Sequence, residues 1–306
     1  MKIAVIGLGD IACKAYLPVI TQLPNIELVF CSRNQTRLSE LAGQYRIKDI
    51  ETDYKKLLEH KVDAVMIHAA TSAHYDIASY FIGHRIATFV DKPLVDNAEQ
   101  VELLYEQAAK NNAVLYVGFN RRHIPLFNQH INELSGTVEN KLTSLRWEKN
   151  RHNLPGDPRT FIFDDFIHPL DSINLNNSLS LEDIHITVQK SEQRLLRLDV
   201  QWQIEGTIYE ASMNRQCGAT FEKVTAGYTN QLFEFDSFVQ GRCFKNNQQS
   251  FLGLKDWTPM LESKGFVHMI KDWISVVHNG SLNTKVIERN IKTHQIADYI
   301  CAQITK

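Results

Sequence analysis

The feature that most constrains the fold is the N-terminal stretch from Met1 to Ala12, in which a short apolar run leads into two glycines. Ile3 to Ile6 is typical of a parallel strand covered on both faces. Gly7 and Gly9 follow at the spacing that lets backbone approach a phosphate, and Ala12 is small enough for a helix to pack closely on the strand. The stretch predicts a dinucleotide-binding turn; the alternative is an ordinary glycine turn in an α/β protein.

Residues 1 to about 120 alternate apolar runs with amphipathic windows, which is typical of consecutive βαβ units. Right-handed crossovers then give a doubly wound parallel sheet, a Rossmann domain, with ligands outside the carboxyl ends of its strands. Pro18 is expected to bend or break the first helix. Strands are predicted at Lys2–Gly7, Glu27–Ser32, Ala64–His68, Ile86–Val90 and Val114–Gly118, and helices at about 11–23, 35–45, 54–60, 73–83 and 97–111.

Residues 121–306 have a different texture and predict an α+β domain for substrate binding and oligomerisation. Strands that follow one another without intervening helices indicate a large, mostly antiparallel sheet, and Glu205-Gly206 predicts a hairpin turn. The last two helical windows, 265–278 and 286–304, are candidates for packing back on the first domain. The other helices are predicted at 124–135 and 165–175, and strands at 142–149, 184–189, 195–204, 207–214 and 232–238.

Composition narrows the class of partner. The 306 residues include 33 Lys and Arg against 35 Asp and Glu, so no basic surface for nucleic acid or an anionic membrane is expected. The five cysteines form no C-x-x-C pair, and no His, Asp or Glu cluster has metal-ligand spacing, so we expect neither disulfides nor a metal. With no apolar window long enough to span a membrane, we expect a cytoplasmic protein that binds a small molecule.

The end of the second predicted strand bears on the choice of cofactor. An acid there would bind the adenosine ribose hydroxyls, whereas basic and hydroxyl side chains accommodate a 2′-phosphate. The chain has Ser32 and Arg33, with Arg37 one turn later, and no acid. Charge-assisted hydrogen bonds to a phosphate would favour NADP over NAD. The alternative interpretation is a solvated arginine in a loop.

Lys92 is the first candidate for chemistry. It lies between Asp91 and Pro93 at the carboxyl end of a predicted strand, where proline restricts the backbone of the preceding residue. A lysine at a strand end is often only a solvated charge. This location, on the ligand-binding edge of the sheet, favours a functional role.

Four stretches taken together resemble the Gfo/Idh/MocA oxidoreductase family. They are the glycine turn, Asp91-Lys92-Pro93 in the place of a Glu-Lys-Pro signature, Gly118-Phe119-Asn120-Arg121-Arg122, and the run from Asp164 to Asp171. The resemblance narrows to MviM-type members through Val90 to Leu94, Gly118 to Arg122, Glu148 to Asn153 and the doubled Asp164-Asp165. It spans nearly the whole chain and is specific in its order and spacing.

The resemblance implies roles for individual residues. Lys92 would hydrogen-bond the reacting hydroxyl near the nicotinamide, Asp164 would orient the substrate hydroxyl, and His168 would be the general acid or base. Four residues apart on a helix, Asp164 and His168 would share one face and point into the cleft. Histidine, with an unperturbed pKa near ~6.5, suits proton transfer at neutral pH. The cofactor contacts implied besides the glycines, Ser32, Arg33, Arg37 and Lys92 fall on Asp10, Ile11, Ala69, Ala70, Thr71, His74 and Asp91.

Two departures from the family pattern affect these roles. The chain has Ala69-Ala70-Thr71 where many members have Thr-Pro-Asn, so backbone contacts to the nicotinamide ribose are expected without the usual side chain. Asp91 replaces the usual glutamate with a shorter carboxylate. Substrate contacts are assigned to Asn120, Arg121, Arg151, His152 and Asp165. For Arg121, Arg151 and His152, the alternative role is a structural ion pair, which the sequence does not distinguish from a substrate contact.

Three functions follow from the resemblance. The first is an NADP-preferring oxidoreductase that exchanges hydride with a carbinol carbon of a sugar, cyclitol or related polyol. The second is a non-catalytic NADP-binding regulator, against which the presence of Lys92, Asp164 and His168 argues. The third is hydrolysis of a glycosidic bond through transient oxidation by tightly held NAD. Family members commonly form dimers or tetramers through the antiparallel sheet, so a homo-oligomer is expected.

Overall fold

The structure is a computed structural model that describes residues 1–135, 141–175 and 178–305. The chain divides into two structural units. Unit 1 comprises Met1–Phe119 and Phe266–Ile287, and unit 2 comprises Asn120–Gly265 and Glu288–Lys306. A segment from near the carboxyl terminus therefore belongs to the same unit as the N-terminal residues.

Unit 1 contains a six-stranded, wholly parallel sheet in the order β3-β2-β1-β4-β5-β6. This is the doubly wound arrangement, and the strand order reverses between β1 and β4, where ligands bind in such sheets. The predicted Rossmann fold is confirmed. The strands are β1 Lys2–Ile6, β2 Glu27–Cys31, β3 Asp49–Glu51, β4 Ala64–Ile67, β5 Ala87–Asp91 and β6 Leu115–Gly118.

Sequence patterns missed β3 and anticipated the irregular first helix. β3 has three residues, of which only Ile50 is apolar, so it carries no periodic signal. A π-helical turn, Ala12–Tyr16, precedes the α-helix Leu17–Ile20, and Pro18 lies in the first turn of that α-helix. Proline is tolerated there because the first N–H groups of a helix have no intrahelical acceptor.

The remaining helices of unit 1 cover the two faces of its sheet. They are Gln35–Tyr45, His74–Gly83, Ala98–Asn111 and Phe266–Asn279, with 3₁₀ turns at Tyr54–Leu58 and Thr71–Ala73. The helix Phe266–Asn279 carries Trp273, which is fully buried and lies 5.8 Å from the ring of Phe89 and 5.6 Å from that of Tyr116. The hydroxyl of Tyr116 also donates to Asp272 at 2.8 Å. These contacts place the helix on the β5–β6 half of the sheet.

Unit 2 contains an eight-stranded sheet in the order β14-β13-β12-β11-β7-β10-β9-β8. Its pairs are antiparallel except for β7 with β10, so the predicted mostly antiparallel sheet is confirmed. Ile204 pairs with Thr207 across the predicted hairpin turn, whose two residues, Glu205 and Gly206, both have positive φ. The strands are β7 Leu142–Asn150, β8 His185–Ser191, β9 Arg194–Ile204, β10 Thr207–Asn214, β11 Phe221–Tyr228, β12 Gln231–Phe235, β13 Gln240–Lys245 and β14 Gln248–Gly253.

Three strands of unit 2, β11, β13 and β14, escaped prediction. β14 lies at the sheet edge and is exposed at nearly every position, and β13 next to it is largely polar, so neither shows apolar alternation. The helical parts of unit 2 are Pro125–His130, Asn132–Ser135, Pro158–Thr160, the π-helix Phe161–Phe166, Ile167–Ile173, a 3₁₀ turn at Leu181–Asp183 and Met260–Ser263; the helix Thr284–Ile304 contributes to both units. Across the described ranges, no helix combines the length and the apolarity that a membrane span needs.

Trp273 and Trp257 offer a matched test of the packing in unit 1. Trp273 has no exposed surface, whereas Trp257 is 96% exposed. We expect Trp273→Ala to lower the free energy of unfolding by about 3–5 kcal/mol, because it removes a large buried side chain and leaves a cavity. Trp257→Ala should change it by less than about 0.5 kcal/mol. Urea unfolding followed by circular dichroism measures both, and equal losses would contradict this account of the core.

Candidate active site

A cavity of about 670 Å³ lies at the carboxyl ends of β1, β2 and β4 in unit 1. Its volume is within the range of small-molecule and cofactor pockets. It lies where the strand order reverses between β1 and β4, the switch point of the sheet. Seven of the residues that the sequence assigned to a cofactor line it: Gly7, Gly9, Ser32, Arg33, Arg37, Ala69 and Ala70.

Gly7 and Gly9 shape the cavity in different ways. Gly7 has φ +88°, and a Cβ on it would lie 2.6 Å from the backbone nitrogen of Ala69, so only glycine fits where β1 ends beside the end of β4. Apart from its two chain neighbours, no described residue has an atom within 4 Å of the position of a Cβ on Gly9. The backbone at Gly9 is therefore open to a ligand, at the start of the helical residues 10–20 whose first N–H groups face outward.

The β2 side of the cavity is polar and basic. Ser32 is half-buried, while Arg33 and Arg37 are exposed at the rim. Nη2 of Arg37 lies 3.3 Å from the sulfur of Cys13, and Asn34 caps the helix Gln35–Tyr45 by accepting from the Arg37 backbone. Arg33 and Arg37 thus place two positively charged side chains beside the carboxyl end of β2, at the cavity.

His68 follows β4 directly and lines the cavity, a residue that the sequence analysis placed only in a strand. It is 5% exposed, and neither ring nitrogen has a hydrogen-bond partner among the described residues. Its ring lies 4.0 Å from that of Tyr16. Burial, and next the charge of His74, lower the pKa of His68 to about 3, so the ring is neutral at pH 7 with one donor and one acceptor for a ligand.

His74 does not line the cavity but braces its wall. Its ring is buried, with Nε2 2.9 Å from the carbonyl oxygen of Ala69 and Nδ1 3.0 Å from that of Pro93. The ring thus ties the loop after β4 to the loop that carries Lys92. Thr71, in the 3₁₀ turn between them, does not line the cavity either.

Asp10 and Ile11 lie at the start of the first helix, outside the cavity lining. Both are exposed, and Asp10 pairs with Lys14 at 2.7 Å. Their predicted contact with a cofactor remains a prediction.

Asp91 ends β5 and is held from two sides. It accepts hydrogen bonds from the Tyr16 hydroxyl at 2.8 Å and from the backbone N–H of Lys92 at 2.8 Å. Burial raises the pKa of Asp91, while Lys92 and Tyr16 act in the opposite direction. The carboxylate therefore holds the backbone at Lys92, whose side chain is half-buried. The tyrosine that donates to this carboxylate, Tyr16, is the one that packs on His68.

His168 lies in unit 2, buried in the helix Ile167–Ile173. Its Nε2 is 3.3 Å from Nη1 of Arg121. A guanidinium can only donate, so Nε2 accepts and the proton is on Nδ1. Asp164 precedes it in the π-helix Phe161–Phe166 and is exposed, whereas His168 is buried; that the two side chains share one face stays a prediction.

An ion-pair network surrounds Asp165 beside His168. Arg151 binds Asp165 through two hydrogen bonds of 2.8 and 2.7 Å, and Lys149 and Arg215 reach it at 2.5 and 3.0 Å. Glu222, the second carboxylate, pairs with Arg121, lies 3.8 Å from Lys149 and accepts from Trp147.

Charge within this network shifts the pKa of its members. Burial opposes ionisation of Asp165 and Glu222, but the cations beside them outweigh it, so both carboxyl groups have a lowered pKa. Burial, reinforced by Arg121, lowers the pKa of Lys149 to about 7.

The structure brings together Arg121, Arg151 and Asp165, and joins Asn120 to them through a 3.1 Å bond from Arg121. His152 is exposed and contacts the Cys217 carbonyl instead. Lys149, Arg215 and Glu222 were missed. The spacing of Lys149, in β7, and Arg151, directly after it, could have indicated the first; the other two are remote in sequence and gave no local signal.

Within the part of the chain that the structure describes, no three His, Cys, Asp or Glu residues are grouped as metal ligands.

Comparisons with known proteins agree with the geometry. A family model described as "Oxidoreductase family, NAD-binding Rossmann fold" matches residues 1–119. A Gfo/Idh/MocA family oxidoreductase from Vibrio cholerae is 58% identical, with a TM-score of 0.97 over 100% of this chain and 98% of that one. The dehydrogenase MviM from Clostridium difficile is 25% identical, with a TM-score of 0.89 over 99% of both chains.

A more distant relative has a named substrate. Myo-inositol 2-dehydrogenase from Thermotoga maritima is 29% identical over 142 residues, which are 46% of this chain and 41% of that protein. The full-length matches carry the assignment: this chain belongs to the Gfo/Idh/MocA family, with MviM-type relatives, and is an NAD(P)-binding oxidoreductase.

Proposed function

We propose that the protein is an NADP-preferring oxidoreductase that exchanges hydride with a carbinol carbon of a sugar, cyclitol or related polyol. The observation that supports the cofactor assignment is the cavity beside β1 and β4 of the first sheet, which is lined by the glycine turn and by two arginines. The polyol is supported by the relative that acts on myo-inositol.

The residues of the cavity fit a dinucleotide. Gly9 leaves room at the helix start for a pyrophosphate. Neither ring nitrogen of His68 has a hydrogen-bond partner among the described residues, so both can bind a ligand. Arg33 and Arg37 supply charge for a 2′-phosphate, and residues 32–37 include no acid. A nicotinamide dinucleotide, when bound, supplies the hydride acceptor or donor.

The roles of the protein's own groups follow from their chemistry. As a carbinol loses hydride, its hydroxyl proton needs a base and its oxygen needs a positive partner. His168 takes the proton at Nε2, where the substrate hydroxyl replaces the 3.3 Å contact from Arg121. Lys92 stabilises the developing alkoxide, and Asp164 orients the hydroxyl. A homodimer or homotetramer formed through the second sheet is part of the proposal.

Gly7 and Gly9 separate folding from cofactor binding. We expect Gly7→Ala to lower the free energy of unfolding by at least about 2 kcal/mol, because its Cβ would collide with backbone at a positive φ. Gly9→Ala should leave stability nearly unchanged but weaken NADP binding at least about tenfold, because its methyl would occupy the phosphate side of the cavity. Urea unfolding and fluorescence titration measure the two effects. If Gly9→Ala bound NADP normally, the pyrophosphate would lie elsewhere.

Arg33 tests the preference for NADP. Losing one charge-assisted contact costs about 1.5–3 kcal/mol, so Arg33→Ala should raise the Kd of NADP about 10- to 100-fold and change that of NAD little. Arg194→Ala, at an exposed arginine of unit 2, is the control. Titration calorimetry with both nucleotides measures the ratio. Equal losses for NAD and NADP would mean that Arg33 does not read the 2′-phosphate.

Lys92 and His168 test the reaction. We expect Lys92→Ala and His168→Ala each to lower kcat by about two to four orders of magnitude, because each removes a group that moves a proton or stabilises its charge. NADPH affinity should stay nearly the same. Lys110→Ala and His278→Ala, at exposed positions, are the matched controls. Turnover of a panel of sugars and polyols is measured by the change in NADPH absorbance, and an unchanged kcat in either variant refutes the role of that residue.

The same panel separates the rival functions. Tight nucleotide binding, with no turnover of any sugar and a protein partner in a pull-down, would indicate a regulator. A nucleotide retained through purification and unchanged over turnover would indicate glycoside hydrolysis.

A further inference from the structure

The cavity of unit 1 extends beyond the glycine turn and the β2 arginines. Its far part, which we call the β3 end, is lined by Thr52 and Tyr54, which follow β3, and by Ala73, Asp76 and Ile77. The last three lie at or just after the start of the helical segment that follows β4. Their spacing of three and four residues places them on one face of that segment. The sequence assigned no role to any of these five residues.

The strand order relates the β3 end to one half of a dinucleotide. β3 is the outermost strand on the side of β2, whereas Lys92 follows β5 on the other side of β1. In this fold the pyrophosphate belongs at the glycine turn and the adenosine ribose at the end of β2. The β3 end is thus the part of the cavity for the base joined to that ribose, adenine.

Asp76 is the single acid among the described residues that line the cavity. Its side chain is exposed, and no described residue forms a hydrogen bond or an ion pair with its carboxylate. A carboxylate repels the phosphates of a dinucleotide, and it can only accept hydrogen bonds. A hydrogen-bond donor on the ligand is therefore the group that Asp76 can bind.

Tyr54 supplies a donor beside this acceptor. Its ring is half-buried and packs against Tyr80 and Phe81, at centroid distances of 5.5 and 6.1 Å. Its hydroxyl has no hydrogen-bond partner in the described part of the chain. Burial, and next the charges of Asp76 and Asp53, raise the pKa of Tyr54, so the hydroxyl keeps its proton at neutral pH and can donate.

The edge of adenine has the pattern that matches these two groups. Its 6-amino group donates, and the ring nitrogens on either side accept. Hypoxanthine has an oxygen in place of the amino group, and this oxygen accepts. A carboxylate binds the amino group, but it leaves that oxygen unpaired and repels it. Ala73 and Ile77 offer apolar surface to the faces of the ring; Ile77 is 6% exposed.

We propose that Asp76 and Tyr54 select adenine as the base of the cofactor: Asp76 accepts a hydrogen bond from its 6-amino group, and Tyr54 donates to a ring nitrogen. This inference rests on the proposed function for the binding of a nicotinamide dinucleotide. It adds two residues that determine specificity, and it adds discrimination against cofactors whose base carries oxygen at that position.

Two cofactors that differ only in the base provide the first test. Deamino-NADP has hypoxanthine in place of adenine and the same phosphates as NADP. We expect NADP to bind about 5- to 30-fold more tightly, because deamino-NADP lacks a charge-assisted hydrogen bond whose strength solvent reduces at an exposed carboxylate. Titration calorimetry on the full chain gives the Kd of each. Equal Kd values for the wild-type protein overturn the proposal.

The ratio of the two Kd values separates the hydrogen bond from the charge of Asp76. Removal of the charge alone affects both nucleotides alike, because their phosphates are identical. We expect Asp76→Ala to bring the ratio close to 1. Asp76→Asn should do the same, because an amide both donates and accepts. A ratio that stays at its wild-type value in Asp76→Ala overturns the proposal.

Glu99 provides the matched control for Asp76. Both are exposed acids in the first turn of a helix, but Glu99, in the helix Ala98–Asn111, does not line the cavity. We expect Glu99→Gln to leave both Kd values and their ratio unchanged, in contrast to Asp76→Asn. A ratio that falls equally in the two variants overturns the proposal, because loss of any first-turn acid would then be sufficient.

Tyr54→Phe tests the second contact. The substitution removes the hydroxyl but keeps the ring that packs on Tyr80 and Phe81. We expect the Kd of NADP to rise about 2- to 10-fold, as for the loss of a neutral hydrogen bond, with Tm nearly unchanged. An unchanged Kd overturns the contact assigned to Tyr54.

Failure of this inference is distinguishable from failure of the proposed function. If the wild-type protein binds none of these nucleotides, the cofactor assignment and this inference are both refuted. If NADP and deamino-NADP bind equally and both support hydride exchange, the oxidoreductase stands and selection of the base is refuted. The same comparison between NAD and deamino-NAD tests Asp76 independently of the preference for NADP.

Discussion

The cavity of unit 1 depends on a backbone contact that only glycine permits. At Gly7 the chain leaves β1 with φ +88° and passes within van der Waals distance of the Ala69 backbone at the end of β4. The close approach brings the glycine turn, the β2 arginines and His68 to one rim. Any side chain at Gly7 would force the two strand ends apart, and the groups that fit phosphate at one end and ribose at the other would no longer share a cavity.

Tyr16 connects this cavity to the candidate catalytic lysine. Its ring packs on His68 while its hydroxyl binds Asp91, whose carboxylate also holds the Lys92 backbone. The shorter carboxylate, read in the sequence as a departure from the family signature, thus has its own partner in this chain. Tyr16 lies in a π-helical turn, a type of distortion often found at functional sites.

Sequence patterns predicted those parts of the fold that depend on residues close together in the chain. Apolar runs and glycine spacing give the parallel sheet and its turn, and a two-residue glycine turn gives the hairpin at Glu205-Gly206. Edge strands such as β14 were missed because an exposed strand needs no apolar alternation. The sequence predicted His68 only as the end of a strand. Its burial beside Tyr16 and Phe89 comes from tertiary packing, which no local pattern reports. Likewise, Lys149 and Glu222 meet through sheet pairing across about seventy residues, which no local window reports.

Within unit 2, Arg121 organises the surroundings of His168. Arg121 donates to His168 and at the same time pairs with Glu222, so the guanidinium orients the ring through its Nε2 lone pair. Because a guanidinium can only donate, this contact places a lone pair, and not a proton, on the Nε2 that faces Arg121. Arg121 thus joins the proposed base to the ion pairs of Glu222 and Lys149, so the orientation of the ring depends on residues of β11 and β7 that are remote from it in sequence.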